Sequence, residues 1–284
     1  MTRRVTVVAL LTTMIAALLV PTASAAPRYR NYVSLGDSFV SGPFIPLQRL
    51  DPLSCFKSTQ NYPSVLTRRL RIEKFTDISC GGAQTKDMFA AQSGFPGQSV
   101  AQLSALSAST DLVTVSIGGN DIGFSDIITT CASKSVTDPH GAPCKAAFGD
   151  ELAQRIAATA PKIANVLAGI KQRAPKAKVV VVGYLRVMPP SQGCWPVVPV
   201  AKGDVPFLDG VQQQLNGMLG TQAQLAGAAF VNPYDISLGH DVCALPWKKY
   251  VEGIIPTSLA SPVHPNAAGM AAVGNQVAGT LTTG

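Results

Sequence analysis

Short apolar segments alternate with longer amphipathic ones along most of the chain. Five short runs rich in Val, Ile, Leu or aromatic residues predict strands at 32–36, 75–79, 112–117, 178–183 and 228–231. Apolar residues that recur at helical spacing predict helices at 62–70, 151–173 and 205–225, with a last one at 266–281. The runs of apolar residues within the strands are typical of a parallel sheet that is covered on both faces.

Strands and helices in alternation predict an α/β fold, a three-layer α/β/α sandwich with a central, mostly parallel sheet and right-handed crossovers. Segments 41–58, 122–149, 186–203 and 236–263 are rich in Pro, Gly and Cys, which indicates long ordered loops. Loops of that length in a compact domain are usually functional. Because no repeat or linker divides the chain, a single domain is expected over 26–284.

The first 25 residues have the pattern of a secretory signal peptide. Arg3 and Arg4 precede an apolar run over 5–20, and Ala23-Ser24-Ala25 provides the small residues of a cleavage site. A membrane anchor is the alternative, but sixteen residues that include three threonines fall short of the roughly 20 needed to span a bilayer. We therefore expect a secreted, extracellular protein, cleaved after about Ala25.

Composition narrows the class of protein. The 284 residues are 46% hydrophobic and 14% charged, which is the opposite of a disordered chain and leaves too few charges for a coiled coil. The formal charge of +7 becomes +5 once the signal peptide is removed, and the basic residues are scattered. Nucleic-acid binding is therefore not expected, and we expect a monomer with at most a transient contact with lipid surfaces.

All six cysteines follow the predicted cleavage site: Cys55, Cys80, Cys131, Cys144, Cys194 and Cys243. An even number of cysteines in an exported protein favours disulfides, although six cysteines allow 15 connectivities. Pairing of nearest neighbours would close loops of moderate length. A zinc site is the weaker alternative, because no C-x-x-C spacing occurs and the histidines are not grouped.

Four short segments combine residue types that could carry chemistry. Three follow predicted strands, where open α/β sheets place their ligands, and the fourth precedes the last helix. They are Gly36-Asp37-Ser38-Phe39, Cys80-Gly81-Gly82-Ala83, Gly118-Gly119-Asn120-Asp121 and Val263-His264-Pro265-Asn266. Each alone could be an ordinary turn or helix cap. Together they offer a hydroxyl, a base and hydrogen-bond donors, which are the groups that acyl transfer needs.

Other interpretations of the candidate residues are weaker. Asp37 and Asp121 could act as a carboxylate pair for glycoside hydrolysis, but an aspartate in a turn more often accepts hydrogen bonds from nearby backbone amides. His240 is a rival base, but its neighbour Cys243 indicates a structural loop. The G-x-S-x-G elbow of the α/β-hydrolases is absent, because Val40 stands two residues after Ser38.

In these four segments and in their order, the chain resembles the SGNH, or GDSL, hydrolases, most closely their secreted bacterial lipase and esterase branch. The resemblance covers residues 36 to 266. It implies a flavodoxin-like fold, no metal or organic cofactor, and three sequential disulfides: Cys55–Cys80, Cys131–Cys144 and Cys194–Cys243.

The resemblance also implies roles for single residues. Ser38 would be the nucleophile and His264 the base, with the oxyanion bound by the backbone N–H groups of Ser38 and Gly82 and by the side-chain amide of Asn120. One position departs from the family pattern, since Ser261 stands where an aspartate commonly orients the histidine. We therefore predict that the main-chain carbonyl of Ser261 orients His264, with Asp235 and Asp241 as alternative partners.

The loops that would wall the site contain apolar residues suited to an acyl chain: Phe39, Phe44, Ile45, Phe124, Ile127, Ile128, Met188, Trp195, Val197 and Val198. The resemblance implies a lipase or carboxylesterase acting on lipid esters, with phospholipase A and carbohydrate acetyl esterase as alternatives. A catalytically silent binding protein on the same scaffold is the alternative outside enzymes.

Overall fold

Five parallel strands form the centre of the molecule. A computed structural model describes residues 28–283, so the predicted signal peptide lies outside the described residues. The strands of the central sheet are β1 (Asn31–Gly36), β2 (Lys74–Asp77), β5 (Leu112–Ser116), β6 (Lys178–Val182) and β7 (Ala229–Val231), in the spatial order β2-β1-β5-β6-β7. Each neighbouring pair is parallel, so the carboxyl ends of all five strands meet at one edge.

Helices cover both faces of this sheet, as the sequence predicts. The principal helices are α2 (Tyr62–Leu70), α5 (Glu151–Arg173), α6 (Val205–Leu225) and α7 (Ala267–Thr283). Helix α2 packs against α7 and α5 packs against α6. In α5 the buried residues Leu152, Ile156 and Ile163 recur at helical spacing and face the sheet. None of the helices in the part of the chain that the structure describes is long and apolar enough to span a membrane.

The segment 122–149 is where the loop prediction is wrong. It contains α3 (Phe124–Ser135) and α4 (Pro143–Phe148), which the Cys131–Cys144 disulfide joins. Thr and Ser residues weaken the helix propensity of α3. Packing overrides that propensity, because Ile127 and Cys131 are buried against the core. A further short helix, α1 (Ser38–Ser41), and a small hairpin of β3 (Gln92–Ser93) and β4 (Gln98–Ser99) complete the set.

Disulfides pair the cysteines in sequence order, as the resemblance implies: Cys55 with Cys80, Cys131 with Cys144 and Cys194 with Cys243. The first of these joins the loop after α1 to the segment that follows β2. Gly81 N–H also donates to Cys55 O at 2.9 Å, which reinforces the same junction. The disulfide therefore anchors the second predicted site segment to the loop that follows the first.

Candidate active site

Ser38 lies at the carboxyl end of β1, on the first turn of α1. The strand ends at Gly36, whose φ of +150° is in the region that favours glycine; a Cβ there would meet Val40 at 2.3 Å and Ser116 O at 2.5 Å. Asp37 then caps α1, with its side chain accepting from Phe39 N at 2.9 Å. This sharp strand-to-helix turn presents the Ser38 hydroxyl at the edge of the sheet.

His264 reaches Ser38 from a loop 226 residues later in the chain. Its Nε2 lies 2.8 Å from Ser38 Oγ, and its Nδ1 lies 2.7 Å from the main-chain oxygen of Pro262. A carbonyl oxygen can only accept, so Nδ1 carries the proton and Nε2 is left to accept from the serine hydroxyl. The two contacts together hold the imidazole in the tautomer of a general base.

The carbonyl that orients His264 is not the one expected. The main-chain oxygen of Ser261 accepts from His264 N at 3.2 Å, and Pro262 supplies the contact to Nδ1. The backbone explains the shift by one residue, because Val263 has φ +57° and turns the chain so that the Pro262 carbonyl faces the ring. Among the described residues no carboxylate hydrogen-bonds His264, so neither Asp235 nor Asp241 takes this role.

Burial lowers the pKa of His264 below its usual value, and the hydrogen bond to Pro262 O opposes that shift only in part. The rings of Phe39 and Phe124 lie against the imidazole, with centroids 5.2 and 5.9 Å away. An apolar surrounding of this kind disfavours the charged imidazolium. The histidine is therefore neutral at neutral pH, as a base must be before it accepts a proton.

A further layer of contacts holds the loop that carries His264. Glu252 is fully buried; its N–H donates to His264 O at 3.0 Å, and its carboxylate accepts from Asn266 Nδ2 at 2.8 Å. The same carboxylate accepts from the backbone N–H and the hydroxyl of Thr257, at 2.7 and 2.9 Å. Glu252 thus links both sides of the His264 loop. Sequence reasoning missed this role, because an isolated glutamate in a loop forms no recognisable pattern.

Hydrogen bonds join the segments that carry two of the three predicted oxyanion donors, Gly82 and Asn120. Asn120 Nδ2 donates to Ala83 O at 2.9 Å, and Gln84 Nε2 donates back to Asn120 O at 3.0 Å. Since an amide nitrogen carries two hydrogens, Asn120 retains one for a ligand. Within the described residues, no protein acceptor pairs with the N–H of Ser38 or of Gly82. These two backbone groups are therefore also open to a ligand.

A buried chain of hydrogen bonds joins the first and third segments below the site. Gly119 N–H donates to Tyr184 Oη at 2.8 Å, and Tyr184 donates to Asp37 Oδ2 at 2.6 Å. Burial raises the pKa of Asp37 to about 7 and that of Tyr184 well above its usual value. Sequence reasoning missed Tyr184, although it lies just after the end of β6, where the strand-end rule that selected the other segments also applies.

The rival candidates have structural partners. Asp121 accepts from Thr85 N at 2.9 Å and from Thr85 Oγ1 at 2.5 Å, which accounts for both of its carboxylate oxygens. The His240 ring stacks on Tyr250 at 4.0 Å between centroids, and its Nδ1 contacts Lys248 O. The part of the chain that the structure describes holds no group of three or more His, Cys, Asp or Glu side chains that could bind a metal ion.

An apolar pocket of about 690 Å³, counted to its open mouth, begins at Ser38 and Asn120. Five of the residues expected to wall the site do line it: Phe39, Phe124, Ile127, Ile128 and Met188. The other five do not line it, because Ile45 is in the core, Phe44 packs on Phe56, and the remaining three lie in the loop around Cys194.

Helix α6 provides much of the opposite wall through Leu208, Val211 and Leu215. Sequence reasoning missed these three residues, because apolar residues at helical spacing are equally expected in a helix that only packs on the core.

Gly82 lines a second, polar groove of about 800 Å³, also counted to its open mouth. Gln84, Lys86, Asp87 and Gln92 contribute polar side chains to it. The Asp87 carboxylate accepts a hydrogen bond from the N–H of Gln84 at 2.8 Å, whereas the Lys86 side chain is exposed. Gly82 thus lines a groove that suits a polar group, whereas Ser38 and Asn120 line the apolar pocket.

Comparisons with known proteins agree with this arrangement. Residues 34–272 match the model of the GDSL-like Lipase/Acylhydrolase family. Lipase 2 of Streptomyces coelicolor is 39% identical over 259 residues, which cover 87% of this chain and 86% of the relative. Among solved structures, phospholipase A1 from Streptomyces albidoflavus superposes with a TM-score of 0.74 at 26% identity, covering 89% of this chain and 99% of the other.

An extracellular lipase from Streptomyces rimosus superposes almost as well, with a TM-score of 0.71 at 27% identity and the same coverage of both chains. The matched region includes all four segments around Ser38, Gly82, Asn120 and His264. The protein is thus a member of the GDSL-like lipase/acylhydrolase family.

Proposed function

We propose that the protein hydrolyses carboxylic esters of lipids, with Ser38 as nucleophile and His264 as general base. One observation carries the proposal: His264 Nε2 lies 2.8 Å from Ser38 Oγ while its Nδ1 is held by Pro262 O. Membership of an acylhydrolase family supports the same reaction class.

The reaction proceeds in two stages. Ser38 Oγ attacks the ester carbonyl as its proton passes to His264 Nε2, and the imidazolium then protonates the departing alcohol oxygen. Water, deprotonated by the same nitrogen, hydrolyses the acyl-enzyme and restores the serine. In both stages the oxyanion is bound by the N–H groups of Ser38 and Gly82 and by the Asn120 amide, and loss of one such donor typically costs about 10²–10³ in rate.

The apolar pocket indicates which part of the substrate binds where. It starts at Ser38 and is lined by residues of α3 and α6, so it suits the acyl chain of the ester. An acetyl group would contact few of these apolar side chains, which disfavours the carbohydrate acetyl esterase alternative. We expect medium or long acyl chains to be preferred.

Phospholipids are a second candidate substrate, favoured by the polar groove beside Gly82. A leaving group that carries a phosphate could lie in it near the exposed Lys86. One of the structural relatives is named phospholipase A1, which supports phospholipids as a candidate substrate. If it is correct, Lys86→Ala will lower hydrolysis of phosphatidylcholine more than hydrolysis of triolein.

The decisive experiment measures hydrolysis of p-nitrophenyl esters from acetate to palmitate, together with labelling by a fluorophosphonate. Ser38→Ala should abolish both hydrolysis and labelling. Ser41→Ala is the matched control, because Ser41 is buried three residues away and its hydroxyl has no partner within the described residues. We expect the control to retain activity.

An unlabelled wild-type protein that is folded would contradict the proposal and would favour a silent binding protein. A maximum at acetate with no activity on triolein would retain the serine mechanism but reject lipid esters as the substrate class.

A further inference from the structure

Large apolar side chains are exposed on all three loops that carry Ser38, Gly82 and His264. Leu47, Ile255 and Leu259 are 73%, 80% and 71% exposed. We call the following six residues the apolar rim: Phe44, Leu47, Phe89, Phe95, Ile255 and Leu259. Single exposed apolar residues are common on proteins, but a set on adjoining loops that also carry the candidate site is typical of an interaction surface.

Contacts between the loops make the rim continuous. Pro43 O accepts from Ser261 N at 3.0 Å, which joins the loop after Ser38 to the loop before His264. The Phe44 and Phe56 rings pack at 5.4 Å between centroids, next to the Cys55–Cys80 disulfide.

The third loop continues from that disulfide. Gln92 Nε2 donates to Gly81 O at 2.8 Å, and a Cβ on Gly94 would lie 3.0 Å from Ser54. The hairpin that carries Phe95 is therefore packed against the first loop, beside Gly82.

The same loops are almost free of charge. Segments 42–48, 88–110 and 253–263 contain no Asp, Glu, Lys or Arg. The charged residues beside these segments are mostly engaged: Arg49 donates to Ser64 Oγ at 3.1 Å, Asp51 is paired with the buried Lys57 at 3.4 Å, and Asp87 accepts from Gln84 N–H at 2.8 Å. Lys86 is an exposed cation. A surface that binds anionic lipids needs several clustered cations, and this rim has no such cluster. Its chemistry instead complements an interface without net charge.

We propose that the apolar rim docks the protein onto lipid–water interfaces without net charge, such as a phosphatidylcholine surface. Side chains of the rim enter the interface and bring the mouth of the acyl pocket to the ester layer. This inference rests on the proposed function, because it assigns the rim to delivery of substrate to the same site.

The test separates docking from catalysis by using the Ser38→Ala protein. Its binding to phosphatidylcholine vesicles is measured by co-sedimentation, with and without about 0.5 M NaCl, which screens charge interactions. The combined substitution Leu47→Ser and Leu259→Ser should weaken partitioning by about tenfold or more, since two large apolar side chains no longer enter the lipid. Added salt should leave the binding of the parent protein nearly unchanged.

Leu225→Ser is the matched control. Leu225 is 76% exposed but ends α6 just before β7 begins, at the opposite edge of the sheet from the site. It should bind vesicles as the parent does. If Leu47→Ser/Leu259→Ser binds as tightly as the control, the docking surface is wrong.

Other results would also overturn the proposal. One is binding that requires anionic lipid and is released by salt. Another is a stable dimer in sedimentation analysis that the rim substitutions dissociate, because a second copy would then cover this surface.

Hydrolysis of soluble p-nitrophenyl butyrate, measured with Ser38 intact, keeps the two proposals distinct. The rim variant should retain the wild-type rate on this ester, which also shows that it folds, and should lose activity only on vesicles. Failure of the wild type on the soluble ester would contradict the proposed function, whereas normal hydrolysis without vesicle binding would contradict only the docking surface. Ile255→Ser provides a second rim variant if the first does not fold.

Discussion

At the scale of single residues, the proposed mechanism depends on the protonation state of His264. Its ring lies between Pro262 O and Ser38 Oγ and packs against two phenylalanines. The base works only when Nε2 is unprotonated. Burial lowers the pKa of His264, so the neutral form persists to a lower pH than for an exposed histidine.

We therefore expect the acid limb of kcat/KM to have its midpoint below pH 6.5, the ordinary value for histidine. Activity should fall as pH drops through that midpoint, because the imidazolium can no longer accept the serine proton. Hydrolysis of p-nitrophenyl butyrate between about pH 4 and 9 measures it. A midpoint at or above 6.5 would contradict the buried position of the ring.

Asp37 should make the stability of the fold depend on pH. Its pKa is about 7 in the folded protein and near 3.8 when unfolded, because burial disfavours the carboxylate. The unfolded chain thus loses this proton at a lower pH than the folded one. The contribution of Asp37 to the free energy of unfolding is complete below about pH 3.8 and falls as pH rises towards 7, by at most about 1.4 kcal/mol per pH unit.

Asp37→Asn removes this titration, so the free energy of unfolding of the variant should fall less steeply with rising pH than that of the wild type. Urea unfolding of both proteins at three pH values between about 4 and 7 tests it. Parallel pH profiles for wild type and variant would show that Asp37 does not titrate as its burial requires.

At the scale of elements, helices α3 and α6 set the width of the acyl pocket. Ile128 of α3 lines the pocket and is only partly buried, so a larger side chain can be accommodated there by narrowing the cavity. We expect Ile128→Trp to lower kcat/KM for p-nitrophenyl decanoate about tenfold or more relative to butyrate, since loss of a few buried methylenes costs about 0.8 kcal/mol each. Val136→Trp, on an exposed residue just beyond α3, is the control and should not change the ratio.

The loop that carries His264 depends on Glu252. Glu252→Gln replaces an oxygen acceptor with an NH₂ group that faces the donors of Asn266 or Thr257, so one buried hydrogen bond is lost at a cost of about 1–3 kcal/mol. We expect kcat to fall with KM nearly unchanged, because the loop that positions the base shifts while the acyl pocket does not. Glu252→Asp keeps the negative charge, but its side chain is one methylene shorter. Its activity should therefore also be lower than that of the wild type.

Fluorophosphonate labelling of Ser38 would separate a shifted base from simple destabilisation. Slow labelling at a temperature where the variant is fully folded supports the positioning role. Labelling at the wild-type rate would contradict it.

At the scale of the whole molecule, the pattern of strands and helices predicted the α/β/α fold, whereas the pairing of the cysteines followed from the family resemblance. Strand bounds were predicted to within two residues, because buried strands and sharp strand-end turns leave local patterns. Contacts between residues that are distant in the chain leave no such pattern. Tyr184 meets Asp37 across 147 positions, and Pro262 rather than Ser261 orients the base because of the backbone angle at Val263. Helix α3 was missed because packing stabilises it against its own propensity.

Export is a property of the whole chain. The three disulfides fit an oxidising compartment, and a structural relative is an extracellular lipase. We expect the protein in the culture medium to begin at about Ala26, which mass spectrometry of the secreted protein measures. A secreted form that retains the first 25 residues would contradict the cleavage site.

The carbonyl that orients His264 belongs to the main chain, and this affects how the site responds to mutation. Every amino acid at position 262 supplies a carbonyl, so a library of side-chain substitutions would identify Ser38 and His264 and pass over their third partner. Its importance would emerge indirectly, at residues such as Glu252 and Asn266 that fix the path of the loop. Engineering of this enzyme would therefore gain more from variation of the loop's anchors than from attempts to install an acid at position 261.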